Sequence, residues 1–67
     1  MEQRMREIVA EVYYDLEAAV AEFGEELDAE TLADTLGDRM FDESEEYRAM
    51  PYAERRAMTL RVAQLYA

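Results

Sequence analysis

The chain has 67 residues, no cysteine, no histidine and a formal net charge of −10. The lack of cysteine excludes disulfides, and the lack of histidine removes the commonest metal ligand and the commonest general base. A domain of this size buries only about 60% of the surface that its unfolded chain exposes, so a partner chain or a second copy is the expected supplement to its core.

The longest amphipathic pattern predicts a first helix over residues 2–26. Its apolar positions recur at steps of three and four residues and fall on one arc, whereas the acidic positions fall outside that arc. The arc consists of Met5, Ile8, Val9, Val12, Tyr13, Leu16, Ala19, Val20, Phe23 and Leu27. Gly24 offers an earlier stop as a left-handed cap, although Leu27 still fits the arc. Tyr14 points away from the arc, either as a tolerated surface aromatic or as an interface anchor.

A second helix is predicted over residues 28–41. Asp28 is a favourable N-cap, and Glu30 adds negative charge to the first turn. One face collects the apolar residues Ala29, Leu32, Ala33, Leu36 and Met40. Gly37 lies inside the pattern and weakens the helix by about 1 kcal/mol relative to alanine, so a break there is the alternative.

The last third of the chain predicts a connection followed by a third helix. A short extra helical turn is expected at residues 44–50, capped by Ser44 or Asp42. Pro51 is typical of a first helical position and predicts a helix over residues 51–66. Two apolar stripes on this helix indicate contacts on two sides, made either with the first two helices or with a second copy. The stripes are Met58, Val62 and Leu65, and Ala53, Ala57 and Leu60.

Together these patterns predict one all-α domain, residues 1–67, built as a small bundle of three main helices. Strong helix formers dominate the composition, and glycine and proline total only three residues. No apolar run reaches transmembrane length, and the N-terminus lacks the layout of a signal peptide. We therefore expect a cytoplasmic protein.

The residue types in this chain argue against an active site and against a metal site. A nucleophile needs a neighbouring base, but Ser44 is the only serine and the chain has no cysteine, lysine or histidine. The acids around residues 34–38 do not match the spacing of a calcium-binding EF-hand loop, and di-iron helical sites require histidine. We expect no enzyme activity, no metal ion and no cofactor.

Four arginines near the C-terminus raise nucleic-acid binding as a further hypothesis. Residues 47–67 carry a net charge of +3. The basic residues are Arg48, Arg55, Arg56 and Arg61. The whole chain is nevertheless strongly acidic and repels nucleic acid and anionic membranes. We expect these arginines to pair with acids of the first two helices instead.

The acidic surface is the remaining candidate for function. Residues 1–46 hold sixteen acids and three arginines, a net charge of −13. Rows of acids four residues apart place carboxylates about 6 Å apart along a helix. The surface either provides solubility alone or imitates a phosphate backbone. For the second interpretation the candidate partner-binding residues are Glu22, Glu25, Glu26, Glu30, Asp34, Asp38, Asp42, Glu43, Glu45 and Glu46.

The leading hypothesis is a non-catalytic protein that binds a basic protein surface, as an inhibitor or DNA-mimic decoy of a nucleic-acid-binding protein. Small acidic proteins of phages and mobile elements that block restriction or CRISPR effectors work on this principle. The analogy rests on charge and size, because no motif identifies a family. The alternative is a self-associating helical module, a homodimer held by the two-stripe helix and by aromatics such as Tyr47, Tyr52 and Tyr66.

Overall fold

A computed structural model describes residues 1–24 and 27–66, and this part of the chain is helical throughout apart from its connections. The helices are α1 (Glu2–Phe23), α2 (Ala29–Glu43), α3 (Glu45–Ala49) and α4 (Tyr52–Ala63). The described residues contain no strand. The predicted all-α bundle of three main helices, with a short extra helix before the last, is confirmed.

Helices α1 and α2 form an antiparallel hairpin. The start of α1 lies beside the end of α2, because Arg4 contacts Glu43 at 2.5 Å and Arg39 contacts Glu11 at 3.2 Å. The first helix ends at Phe23, so the predicted end at residue 26 is wrong. Gly24 closes it with φ at 75°, a left-handed conformation that glycine adopts without steric cost, and donates its N–H to a carbonyl of the last turn.

Helix α2 begins as predicted and continues two residues beyond the predicted end at 41. The Asp28 carboxylate accepts the backbone N–H of Thr31 at 2.7 Å, which is the expected cap. Gly37 does not break the helix. A Cβ at this position would lie 3.3 Å from the Tyr47 hydroxyl, so the glycine leaves room for a tyrosine packed against the helix. That tyrosine is 4% exposed, so it belongs to the core.

Tight connections join α2 to α3 and α3 to α4. The Ser44 hydroxyl accepts the backbone N–H of Tyr47 at 3.1 Å and caps α3, which matches the expected turn at residues 44–50. Helix α4 follows Pro51 and ends at Ala63, three residues short of the predicted end at 66. The chain then turns so that the rings of Tyr66 and Tyr13 lie 5.7 Å apart.

The core lies where all the helices meet, around the first three turns of α1. Its buried apolar residues are Met5, Ile8, Val9, Val12, Leu32, Ala33, Leu36, Met40, Tyr47, Val62 and Ala63. Thr59 is buried with them, and its hydroxyl donates within reach of two carbonyls of its own helix. The first half of the predicted arc of α1 is therefore confirmed as core.

The far half of α1 is covered less completely. Phe23, placed on the same apolar arc by its spacing, is 72% exposed. α1 has 22 residues and α4 has 12, about 33 Å against about 18 Å, so α4 is too short to cover the whole of α1. On α4, the second predicted stripe is only partly covered, because Leu60 packs against the core while Ala53 and Ala57 stay exposed.

Candidate partner-binding surface

The acids and arginines of this chain are segregated along the sequence. Residues 7–38, the acid-only segment, contain eleven acids and no basic residue. All seven arginines lie before it or after it. Because α1 and α2 fold back on each other, the far end of the hairpin is built entirely from the acid-only segment. The N-terminal part of α1, the end of α2, α3 and α4 carry the arginines, and we call this part the arginine end.

Four carboxylates step along the outside of α2 at intervals of four residues. We call them the acidic strip: Glu30, Asp34, Asp38 and Asp42. All four residues are exposed. At about 1.5 Å per residue the strip is about 18 Å long, and its members drift around the helix by about 40° per step. The drift moves the strip gradually from the α4 side of α2 towards open solvent.

Only one member of the acidic strip has an internal counter-ion among the described residues. Asp34 contacts Arg56 of α4 at 2.5 Å, and the Arg56 side chain is 27% exposed. The other three carboxylates of the strip form no ion pair with the described residues. Exposed ion pairs contribute about 0–1 kcal/mol to folding, so the pair of Asp34 adds little to stability.

The other candidate acids lie on different helices and differ in their contacts. Glu43 accepts two N–H groups of Arg4, which holds the pKa of its carboxyl below the ordinary range and raises the pKa of the guanidinium. Glu45 lies 4.0 Å from Arg48, and Glu46 beside it is exposed without an ion pair in the described residues. Glu22 is exposed in the last turns of α1, on a different helix from the strip.

Two of the ten candidates, Glu25 and Glu26, lie outside the described residues. The other eight are all exposed, but they do not form one surface. The strip and the adjacent carboxylates of α3 follow one another along the chain, whereas Glu22 stands apart and Glu43 is engaged by Arg4.

The prediction that the C-terminal arginines pair with acids of the first two helices holds for two of them. Arg56 reaches Asp34, and Arg61 reaches Glu2 at 3.4 Å. It is wrong for Arg48, which donates to the carbonyl of Phe41 at 2.6 Å and approaches a glutamate of its own helix.

Arg55 differs from all the other arginines because aromatic rings surround it. Its guanidinium carbon lies 5.5 Å from the ring centre of Phe41 and 5.8 Å from those of Tyr47 and Tyr52. It donates to the Met50 carbonyl at 2.8 Å, and no carboxylate of the described residues lies within ion-pair distance. Sequence reasoning missed this cluster because its rings come from three separate helices. Burial raises the pKa of the Tyr47 phenol, which keeps it neutral beside the guanidinium.

A cleft of about 180 Å³ opens between α2 and α4 next to this cluster. Its charged lining residues are Asp34, Asp38, Arg55 and Arg56. Because these charges balance, the cleft itself offers little net attraction for a basic ligand. On the outer side of α2 the strip continues to Asp42, away from the arginines of α4, and the Arg48 guanidinium of α3 lies 3.3 Å from the Asp42 carbonyl oxygen.

In the part of the chain that the structure describes, no three acids converge in a geometry that would hold a metal ion. No helix there combines the length and the apolar character needed to cross a bilayer. No protein-family model matches the chain, and no curated protein and no solved structure shows a significant match to it. The function must therefore be argued from the charge and geometry of this chain alone.

Proposed function

We propose that this protein binds the basic surface of a nucleic-acid-binding protein and inhibits it without catalysis, as a decoy for the nucleic acid. The observation that carries the proposal is the acid-only segment of eleven acids together with the exposed acidic strip, in which one of four carboxylates has a counter-ion among the described residues. The partner surface is expected to contact the strip and the adjoining acids Glu43, Glu45 and Glu46.

Electrostatics supports a protein partner over nucleic acid or membrane. A chain with a net charge of −10 repels both phosphate polymers and anionic lipid, and it accelerates encounter with basic surfaces. Duplex DNA carries one charge per about 1.7 Å of axis, whereas a single strip offers one per about 6 Å. The strip would therefore imitate only part of a phosphate backbone, and the carboxylates of α3 would lengthen the acidic surface.

The small size and the charge suit an anti-defence role, such as that of an anti-CRISPR or anti-restriction protein of a phage or mobile element. This narrower assignment rests on charge and size, and it places the protein in the cytoplasm, where such effectors act. Arginine-lined grooves are the expected target chemistry, because guanidinium forms paired hydrogen bonds with carboxylates.

Self-association is the second candidate function. It is favoured by the exposure of Phe23 at 72% and Leu65 at 62%. It is opposed by charge, because two copies would bring together two molecules of net charge −10. Sedimentation separates the two, since a decoy stays monomeric until its partner is added. Decoy binding also weakens steeply with salt, whereas apolar association holds or strengthens.

The first test of the proposal is affinity capture followed by competition. The immobilised chain is used to retain a protein from extracts of the source cell, and the retained protein is purified and bound to fluorescently labelled nucleic acid. Adding the free chain should displace the labelled nucleic acid, and this displacement lowers the fluorescence anisotropy. Unchanged anisotropy at low salt would contradict the decoy function.

Charge reversal then tests whether the strip carries the binding. The E30R/D38R/D42R variant should lose about 100-fold or more in affinity for the retained protein, because each new arginine repels the basic surface. Its helix content, measured by circular dichroism, should stay unchanged because all three residues are exposed. Undiminished affinity of a folded variant would remove the strip from the interface.

A matched pair of variants separates position from net charge. E30Q/D38N and Q3R/Q64R each raise the net charge from −10 to −8 and alter only exposed residues. The first pair lies on the strip and the second lies away from it. A decoy surface predicts a larger loss for the strip variant, whereas equal losses would mean that charge acts only over long range.

A further inference from the structure

We infer that the open groove at the far end of the α1–α2 hairpin binds a basic amphipathic helix of the partner. This inference rests on the proposed function and adds an apolar anchor to an electrostatic contact. We call this feature the tip groove, and its floor consists of Leu16, Val20, Phe23, Leu27 and Ala29.

The tip groove exists because the third long helix is too short. α4 packs against the hairpin at the arginine end, and Tyr66 reaches only as far as Tyr13 of α1. α1 has 22 residues and α4 has 12, about 33 Å against about 18 Å, so α4 cannot cover the whole of α1. A helix of about three turns is long enough to cover the remaining part of α1.

The floor of the groove is apolar and incompletely covered. Leu16, Leu27 and Ala29 pack against the core while remaining half-buried, and Val20 is half-buried as well. Phe23 sits at the end of the same arc with 72% of its surface exposed. An aromatic ring beside half-buried aliphatic side chains is the usual composition of an anchor pocket in a protein interface.

The edges of the groove determine what kind of helix fits. Helical spacing places Glu17 on the outer edge along α1 and Glu30 on the outer edge along α2. Both are exposed, and neither has an ion-pair partner in the described residues. The acid-only segment supplies no cation to neutralise them. A helix with an apolar stripe and flanking arginines or lysines complements this arrangement, whereas a second copy would add more acids.

Glu30 also begins the acidic strip, so the groove and the strip share an edge. A basic partner helix seated in the groove would run directly into the surface proposed above. The two features then act as one interface, in which the groove buries apolar side chains of the partner and the strip accelerates encounter with its basic residues.

A pair of variants on α1 tests the inference. Phe23 and Tyr14 are exposed to 72% and 71%, but Tyr14 lies on the opposite side of the helix. The probe is a synthetic helical peptide of about four turns with leucines on one face and arginines beside them. Its control is a scrambled peptide of equal composition that has no apolar face. Binding is measured by calorimetry with the full chain at physiological salt.

We expect the chain to prefer the amphipathic peptide over its scrambled isomer. F23S should lose about tenfold in affinity for the amphipathic peptide, the usual effect of removing an aromatic anchor, and Y14S should bind like the wild type. Circular dichroism should show that both variants fold, because neither residue is buried. Equal affinity for the two peptides, or equal effects of F23S and Y14S, would overturn the groove as a binding site.

The failure of this inference can be told apart from the failure of the proposed function. If both peptides bind equally and both lose affinity in E30R/D38R/D42R, the acidic strip stands and the groove does not. If neither peptide binds, the inference about the groove falls, whereas the proposed function is decided separately by the capture and competition experiment. If sedimentation shows a dimer that F23S converts to monomer, a second copy covers the groove, and the inference of a basic partner helix is overturned.

Discussion

At the arginine end the helices share a fully buried core and ion pairs join α1 to α2 and α4, whereas at the far end the apolar face of α1 is only partly covered and its acids have no ion pair in the described residues. At the arginine end Leu36 and Val62 have no exposed surface, and Arg4 joins α1 to α2 through Glu43. At the far end Phe23 is largely exposed, and Glu30 has no partner in the described residues. Stabilising contacts are therefore concentrated at one end, and exposed apolar and acidic side chains at the other.

This difference shows that a very small domain can be held together without covering its whole surface. A core shared by the helices at one end holds the fold, so the far half of α1 needs only the support of α2. The exposed apolar and acidic groups there contribute little to folding. They can be altered with small effects on stability, which is the property that makes the binding predictions testable.

Truncating one core residue at each end should expose the contrast most strongly. L36A removes a fully buried side chain and should lower the free energy of unfolding by about 2–5 kcal/mol, most of the stability of such a domain. V20A removes a half-buried one and should cost about 1 kcal/mol or less. Urea unfolding followed by circular dichroism measures both. Similar losses at the two positions would contradict the unequal division of the core.

Removing individual arginines sharpens the comparison at the arginine end. R55A eliminates a guanidinium held by three rings and a carbonyl, and should lower the unfolding free energy by about 1–2 kcal/mol. R61A on the same helix removes an arginine whose side chain is 62% exposed, and should cost about 0.5 kcal/mol or less. If thermal and urea unfolding give equal losses for both variants, the ring cluster has no special role.

Acid titration should produce the smallest effect. Because Arg4 lowers the pKa of Glu43, this carboxylate stabilises the fold above its ordinary value of 4.5, and that stabilisation is lost as pH falls through the lowered pKa. Asp28 should also lose its contribution to stability as pH falls, because the backbone N–H of Thr31 lowers the pKa of its carboxyl. Urea unfolding at a series of pH values measures the sum of these effects.

The R4Q variant should flatten the part of this acid dependence that belongs to Glu43. R6Q provides the matched control, since it removes the same charge from the same turn of α1. Among the described residues Arg6 forms an ion pair only with Glu2, at 3.9 Å. An identical pH profile for the two variants would mean that the Arg4 pair has no influence on acid stability.

Local signals in the sequence were sufficient to predict most of the helical framework. The spacing of Met5, Ile8 and Val12 identified the core face of α1, and Asp28 and Ser44 were recognised as caps because their side chains satisfy nearby N–H groups. These features depend on neighbours within one or two turns. The end of α1 was misplaced because the apolar spacing continues past Gly24, whose left-handed conformation ends the helix.

Features that depend on distant parts of the chain were not predictable. Phe23 fits the apolar arc, but its exposure depends on where α4 stops. Arg55 looked like a partner for acids, yet rings from three helices surround it. Gly37 looked like a breaking point, and only the position of the Tyr47 hydroxyl reveals its packing role. Three members of the acidic strip, Glu30, Asp34 and Asp38, form a row that is visible in the sequence. Which of them has a counter-ion among the described residues was not visible.

The segregation of arginine has a practical consequence for proteolysis. Trypsin cuts after arginine or lysine, so it has no cleavage site between residues 7 and 38, while a glutamyl endopeptidase finds several there. Under native conditions trypsin samples local opening outside residues 7–38, whereas the glutamyl endopeptidase samples opening in both parts of the chain. Fragments cut within residues 7–38 by the second enzyme would therefore report fraying of that segment, and tryptic fragments would report fraying of the rest, both from the unmodified protein.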